Sequence, residues 1–187
     1  MINLKIVFTG PPEVGKTSAI ASISDEGCIE VDATASDVSK GKNHRTTVAL
    51  DYGSVKLEGG ERIHLYGTPS QERFDFMWDI LTDGGVGLVV LLDNSRPKPF
   101  QDMSYFLEKF QHFIDRTQVI IGITHMDIVN EPCIEQYHDY LNKSGLSVPI
   151  FEVDARNKQD VSMLIKGLLY SIDPCVNEKQ RELATEF

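Results

Sequence analysis

The sequence predicts a three-layer α/β domain with a mostly parallel central sheet and helices on both faces. Three observations predict it. Short apolar runs alternate with longer amphipathic segments along most of the chain, the rhythm of β–α–β units. Two of those runs, Val86–Leu92 and Val119–Ile123, are apolar almost throughout, as strands buried on both faces must be. After the apolar run Leu4–Thr9 stands Gly10-Pro11-Pro12-Glu13-Val14-Gly15-Lys16-Thr17, a GxxxxGK(S/T) pattern that belongs between a strand and a helix.

Each element has its own signal. Leu4–Thr9 reads as a strand and Thr17–Ser24 as the helix after it. Residues 25–46 are polar and irregular, a long loop by ordinary standards. Thr47–Leu57 alternates through Val48, Leu50, Tyr52, Val55 and Leu57, the pattern of a half-exposed strand. Gly59-Gly60 then turns the chain into Arg62–Tyr66, which makes one antiparallel strand at the edge of the sheet. Phe74–Leu81 looks helical. Phe100–Ile114 carries Met103, Phe106, Leu107, Phe110, Phe113 and Ile114 at helical spacing. Pro132–Asn142 is a helix with proline near its start. Val148–Val153 is a strand, and Asn157 caps a final helix to Tyr170. Residues 1–170 thus form the domain, and 171–187 read as a polar tail.

Bulk properties exclude several classes. A chain of 187 residues buries a core without staples. Its formal net charge is −10 and no basic run occurs, so no nucleic-acid partner is expected. An anionic ligand must be held by local geometry against that field. Cys28, Cys133 and Cys175 are scattered and odd in number, which argues against a disulfide framework or a zinc site. No apolar stretch reaches membrane-spanning length, and neither a myristoyl nor a prenyl signal is written at the ends. A cytoplasmic protein with no direct membrane anchor is the expectation.

The glycine-rich loop carries the chemistry. Backbone N–H groups from Glu13 to Thr17 can curl around a phosphate while the helix N-terminus adds positive potential. Gly10 and Gly15 bracket the turn, and Gly15 lets the backbone approach closely. Lys16 reaches the β- and γ-phosphates, and the Thr17 hydroxyl is suited to Mg²⁺. The two prolines lack N–H groups, but the donors needed follow them. Glu13 must turn its carboxylate outward.

Two later segments choose the base. In Thr124-His125-Met126-Asp127, the Asp127 carboxylate can accept from guanine N1–H and the exocyclic amine; adenine would present a bare acceptor there. In Asp154-Ala155-Arg156, the Ala155 N–H can donate to guanine O6, which adenine replaces with a donor.

In this order, these segments resemble the Ras-like small GTPase superfamily over about residues 1–170. The first is similar to that family's (N/T)KxD and the second to its SAK or SAR. Leu65-Tyr66-Gly67-Thr68-Pro69-Ser70-Gln71-Glu72-Arg73-Phe74 looks like its switch II, and Thr46-Thr47-Val48-Ala49-Leu50-Asp51 looks like the end of switch I. A Thr, three residues and an Asp is similar to bacterial gliding-motility and polarity-type (Mgl-type) members. The resemblance implies GTP or GDP with Mg²⁺ as cofactors. It places Ser18 with the phosphate loop, and Thr124, His125 and Arg156 beside the base. Thr17 and Thr47 become the metal ligands, Thr46 being the alternative to Thr47. Gln71 becomes the catalytic residue that orients water, and Arg45 or Arg73 a candidate source of positive charge.

The chain also departs from that pattern. Gly67 stands where most members carry an Asp that holds Mg²⁺ through water, which predicts weaker Mg²⁺ dependence. Ser70 replaces a glycine whose amide meets the γ-phosphate, and Pro12 sits near the attacking water. Slow, partner-stimulated hydrolysis is expected, with a non-hydrolysing nucleotide-bound scaffold and a P-loop ATPase or kinase as alternatives. The polar segment from Asp25 to Thr46 suits an order–disorder switch. Phe74, Phe76, Met77 and Trp78 pack inward or form a surface that a partner reads; the sequence leaves both open. The resemblance suggests a Roadblock/LC7-type regulatory partner, or other activating and effector proteins, at the switch regions.

Overall fold

The computed structural model describes residues 3–36, 45–57, 60–69, 74 and 76–172, with 3, 30–36 and 45–49 as backbone alone. The chain runs β1 (Asn3–Thr9), α1 (Lys16–Ile23), β2 (Ile29–Ser36), β3 (Arg45–Lys56), β4 (Arg62–Gly67) and α2 (Phe76–Thr82). It continues through β5 (Gly87–Asp93), α3 (Pro99–Lys109), α4 (Gln111–Ile114), β6 (Gln118–Thr124), α5 (Ile134–Lys143), β7 (Ile150–Glu152) and α6 (Lys158–Ile172). The strands form one seven-stranded sheet in the order β2-β3-β4-β1-β5-β6-β7.

The predicted architecture holds: β4, β1, β5, β6 and β7 are parallel neighbours, and β3 alone runs against them. One correction concerns the edge. Residues 29–36, read as loop, form a strand antiparallel to β3 from Ile29↔Tyr52 to Ser36↔Arg45, so β3 lies one strand in. Ile29-Glu30-Val31-Asp32 does alternate, but the run ends in small residues and its only partner lies across residues 37–44. Local pattern could not reveal the pairing.

Two cores sandwich the sheet. Along β5, Val89 and Leu91 face α1 and α6, while Leu88, Val90 and Leu92 face α3 and α5. All five are fully buried, which is why this strand reads as continuously apolar. The remaining differences are at element ends. The Phe100–Ile114 helix breaks at Phe110 into α3 and α4. Pro132 lies outside α5, whose start is held by the Gln136 Oε1 acceptor on the Cys133 N–H, 2.7 Å. Asn157 caps α6 as expected, its Oδ1 accepting from the Gln159 N–H at 2.9 Å, and the helix runs two residues past Tyr170 to Ile172. Residues 173–187 of the expected tail lie outside the described residues. Among those described, no helix is long and apolar enough to cross a membrane.

Candidate functional site

The C-terminal ends of β1, β5, β6 and β7 converge on one rim of the sheet, where parallel α/β folds bind ligands. The loop from β1 to α1 sits there under tight steric control. Gly10 has φ +143°, and a Cβ on it would lie 2.2 Å from the Leu91 carbonyl oxygen, so no other residue fits. Glu13 takes a left-handed φ of 63° and leaves its side chain exposed, the outward turn its charge requires. The N–H groups from Glu13 to Ser18 have no hydrogen-bond partner among the described residues; those from Lys16 on are unsatisfied first-turn donors of α1. Together they form an anion-binding concavity.

Lys16 folds back on the same loop. Its Nζ donates to the carbonyls of Gly10 and Pro11 at 2.8 and 2.9 Å, and the residue is only 5% exposed. Burial pulls its pKa down to about 8, with the Asp51 charge pulling the other way. A drop of that size means the bare loop holds this cation at a cost on the order of 3 kcal/mol. A phosphate beside the ammonium offsets that cost.

At the other side of the loop, the Thr17 hydroxyl donates to Asp51 Oδ2 at 2.6 Å. Asp51 is the register partner of Gly67 across β3 and β4. A Cβ on Gly67 would lie 2.9 Å from the Asp51 Cβ and 3.1 Å from Oδ2. The missing side chain on β4 is therefore the space that the Asp51 carboxylate fills. The neighbouring strand thus places a carboxylate where a side chain on Gly67 would have stood. Thr17 and Asp51 present two hard oxygen ligands, a donor set that fits Mg²⁺. Thr47 is not brought to this corner: it pairs with Thr34, about 13 Å along β3 from Asp51 at the usual rise of a strand.

The base-side cleft has a volume of about 230 Å³. Glu13, Val14, Gly15 and Ser18 line its phosphate end, and Thr124, His125, Asp127, Ala155 and Arg156 its far end. Nine of the twelve predicted binding residues thus line one concavity; the other three, Gly10, Lys16 and Thr17, belong to the same β1–α1 loop and the start of α1. Ala155 sits against the loop, a Cβ on Gly15 being 2.8 Å from its own, and its N–H has no partner among the described residues. Asp127 is exposed at the mouth.

Thr124 has a structural part besides its place in the cleft wall. It is buried, and its hydroxyl lies 3.4 Å from the Val14 carbonyl and 3.2 Å from that of Leu92. That braces the phosphate loop against β5 and β6. Arg156 grips Asp154, Nε to Oδ1 and Nη2 to Oδ2 at 2.9 Å each. The Arg156 side-chain and backbone hydrogen bonds hold the Asp154 carboxyl down to about 2, so the pair stays ionised on the lip of the cleft.

Sequence reasoning missed three contributors. Asp51 was visible only as part of a motif. Asp93 meets His125, Nδ1 to Oδ1 at 2.9 Å. Asn94 is buried and donates from Nδ2 to the Val129 carbonyl at 2.6 Å, while the Tyr137 hydroxyl donates to its Oδ1 at 2.8 Å. These contacts span 32 to 43 residues of chain and leave no local signal. Ser70, Gln71 and Arg73 lie outside the described residues, as do the side chains of Arg45, Thr46 and Thr47. Of the aromatic cluster, Trp78 is core, stacked on Phe110 with centroids 4.9 Å apart, and Met77 packs with Leu50 and Leu81. Phe74 and Phe76 remain half-buried.

The fold and this loop define a nucleotide-binding P-loop protein. The chain belongs to the family described as conserved hypothetical ATP binding protein, whose model matches residues 21–166, a span that starts past Lys16 and Thr17. It is 30% identical over 123 residues to an uncharacterized protein of Methanocaldococcus jannaschii, covering 63% of this chain and 72% of that one. It is 28% identical over 180 residues to Ras-related protein RABA4a of Arabidopsis thaliana, covering 94% and 74%. Ras-related protein SEC4 of Candida albicans is 26% identical over 142 residues, 73% and 65% of the two chains. These likenesses support the Ras-like superfamily; the narrower likeness to gliding-motility members rests on motifs alone.

Proposed function

We propose that the chain is a GTP/GDP switch that uses Mg²⁺ and hydrolyses GTP slowly unless a partner assists. The carrying observation is one cleft with a phosphate-binding amide nest and Lys16 at one end, and Asp127 and the unpartnered Ala155 N–H at the other. Amides of Glu13–Ser18 and Lys16 hold the phosphates, and Asp127 with Ala155 reads guanine. Thr17 and Asp51 would hold Mg²⁺, which would supply positive charge against that of the phosphates. Gln71 orients the attacking water. Thr47 joins the metal only if the start of β3 leaves its pairing with β2, which makes that segment the moving part of the switch. A cytoplasmic role in bacterial polarity, motility or signalling, with a Roadblock/LC7-type regulator, follows the motif resemblance.

The family description names ATP, and an ATP-binding reading competes on that ground. Equilibrium binding of GDP against ADP decides between them: the guanine reading expects GDP to be preferred, and preference for ADP overturns it. Mass analysis of copurified nucleotide is the quicker check. Phosphate release in a single turnover with partner present separates the switch from a non-hydrolysing scaffold.

Two further results are expected. Asp51→Asn lowers GDP affinity in Mg²⁺ by about tenfold or more, the usual cost of losing a residue that orders a metal site. With a chelator present the loss should shrink, because the metal that the carboxylate would hold is then absent and only its contacts with Thr17 and the Lys16 charge remain. Titrations in Mg²⁺ and in chelator read the difference.

The second concerns pH. The free protein sheds the Lys16 proton near 8, below its ordinary value, while the phosphate-bound state keeps it. Affinity is therefore level below pH 8 and falls above it, by about tenfold at pH 9. Calorimetry in two buffers of different ionisation enthalpy should detect proton uptake on binding near pH 8.

A further inference from the structure

Asp93 and His125 form a pair that the phosphate loop, the metal corner and Asp127 do not use. Asp93 ends β5, and its Oδ1 accepts from the Ser95 N–H at 2.8 Å and the Ser95 hydroxyl at 2.6 Å. The same oxygen lies 2.9 Å from His125 Nδ1. Burial works against the charge on Asp93, yet the hydrogen bonds from Ser95 and His125 leave the carboxyl below its ordinary range. An ionised carboxylate only accepts hydrogen bonds, so Nδ1 of His125 carries the proton.

His125 itself is held in an uncommon shape. Its φ is +61°, the left-handed region that costs a non-glycine residue energy unless its surroundings impose it. The surroundings do. The His125 carbonyl accepts from Ile128 and Val129 N–H at 3.2 and 3.1 Å, and Asn94 holds the Val129 carbonyl. The backbone is thereby fixed, but the imidazole side chain is 39% exposed. Its one short side-chain contact among the described residues is Asp93; the Thr124 hydroxyl stands farther off at 3.3 Å.

We infer that Asp93 is a positioning residue for the nucleotide cleft: it locks the His125 imidazole in one orientation and one tautomer as a wall of the base site. This rests on reading the cleft as a nucleotide site. His125 lines the cleft, and a ring tethered at Nδ1 is ordered before binding, so less of its ordering cost falls on the binding step. Ser95 anchors the carboxylate in turn, as outer partners anchor a ligating histidine. An aromatic face beside a purine supplies stacking that depends on orientation.

A double-mutant cycle on the full chain tests this, read with fluorescent analogues of GDP and ADP. Asp93→Asn and His125→Ala are each expected to weaken the preferred diphosphate by about tenfold. The double variant should be no weaker than His125→Ala alone, because Asp93 acts only through the ring. Fully additive losses, or unchanged affinity in Asp93→Asn, overturn the inference. Nitrogen-15 NMR of the wild-type ring gives a readout that needs no variant to fold: an Nδ1–H tautomer is expected, and an Nε2–H tautomer overturns it. If ADP proves the preferred ligand, the guanine reading fails, while the same cycle on ADP still decides the role of Asp93.

Discussion

Lys16→Ala is expected to abolish nucleotide-dependent stabilisation while leaving the free fold nearly as stable as before. The two readouts move apart because Lys16 has opposite effects in the two states. In the bound state its ammonium meets phosphate charge in a dry loop, and truncating one member of such a pair costs about 2–5 kcal/mol, roughly thirtyfold to several thousandfold in affinity. In the free state the same ammonium is buried with two carbonyls as its nearest partners. Removing it loses two hydrogen bonds, about 1 kcal/mol each, and relieves a desolvation cost of similar size. Thermal unfolding with and without saturating GDP measures both. A variant whose melting temperature still rises with GDP as the wild type's does would remove Lys16 from the phosphate site.

Asp127→Asn should exchange the base preference of the cleft. The carboxylate accepts from N1–H and the exocyclic amine of guanine, two charge-assisted hydrogen bonds worth about 1.5–3 kcal/mol each. Asparagine keeps one acceptor and replaces the other with a donor, which faces the guanine amine donor to donor. A loss of about a hundredfold in GDP affinity is expected. Xanthosine diphosphate carries a carbonyl where guanine carries that amine, so it should bind the variant better than the wild type. Competition between the two diphosphates for one labelled nucleotide measures the exchange. Unchanged GDP affinity would take Asp127 out of the base pocket, and the guanine reading with it.

The parts of the site that were legible beforehand share a property. Gly10 through Thr17 is one contiguous turn, and its steric demands are met within a few residues, so its pattern survives in the sequence alone. Asp127 and Ala155 were legible for a related reason: each follows a strand whose apolar run marks where it ends. The pairs that complete the site are of another kind. Thr17 meets Asp51, and Asp93 meets His125, because α1 lies over β3 and because β5 and β6 are parallel neighbours.

Local chemistry was enough to specify a sheet with helices on both faces and an anion-binding turn at one rim, since strand burial and loop geometry are properties of short segments. Strand partners were not specified that way. That β2 flanks β3, that the carboxylate of Asp51 fills the space over Gly67, and that Asp93 tethers His125 all follow from which strands became neighbours. Register between distant segments is set by the packing of the whole core, and no window of sequence contains it.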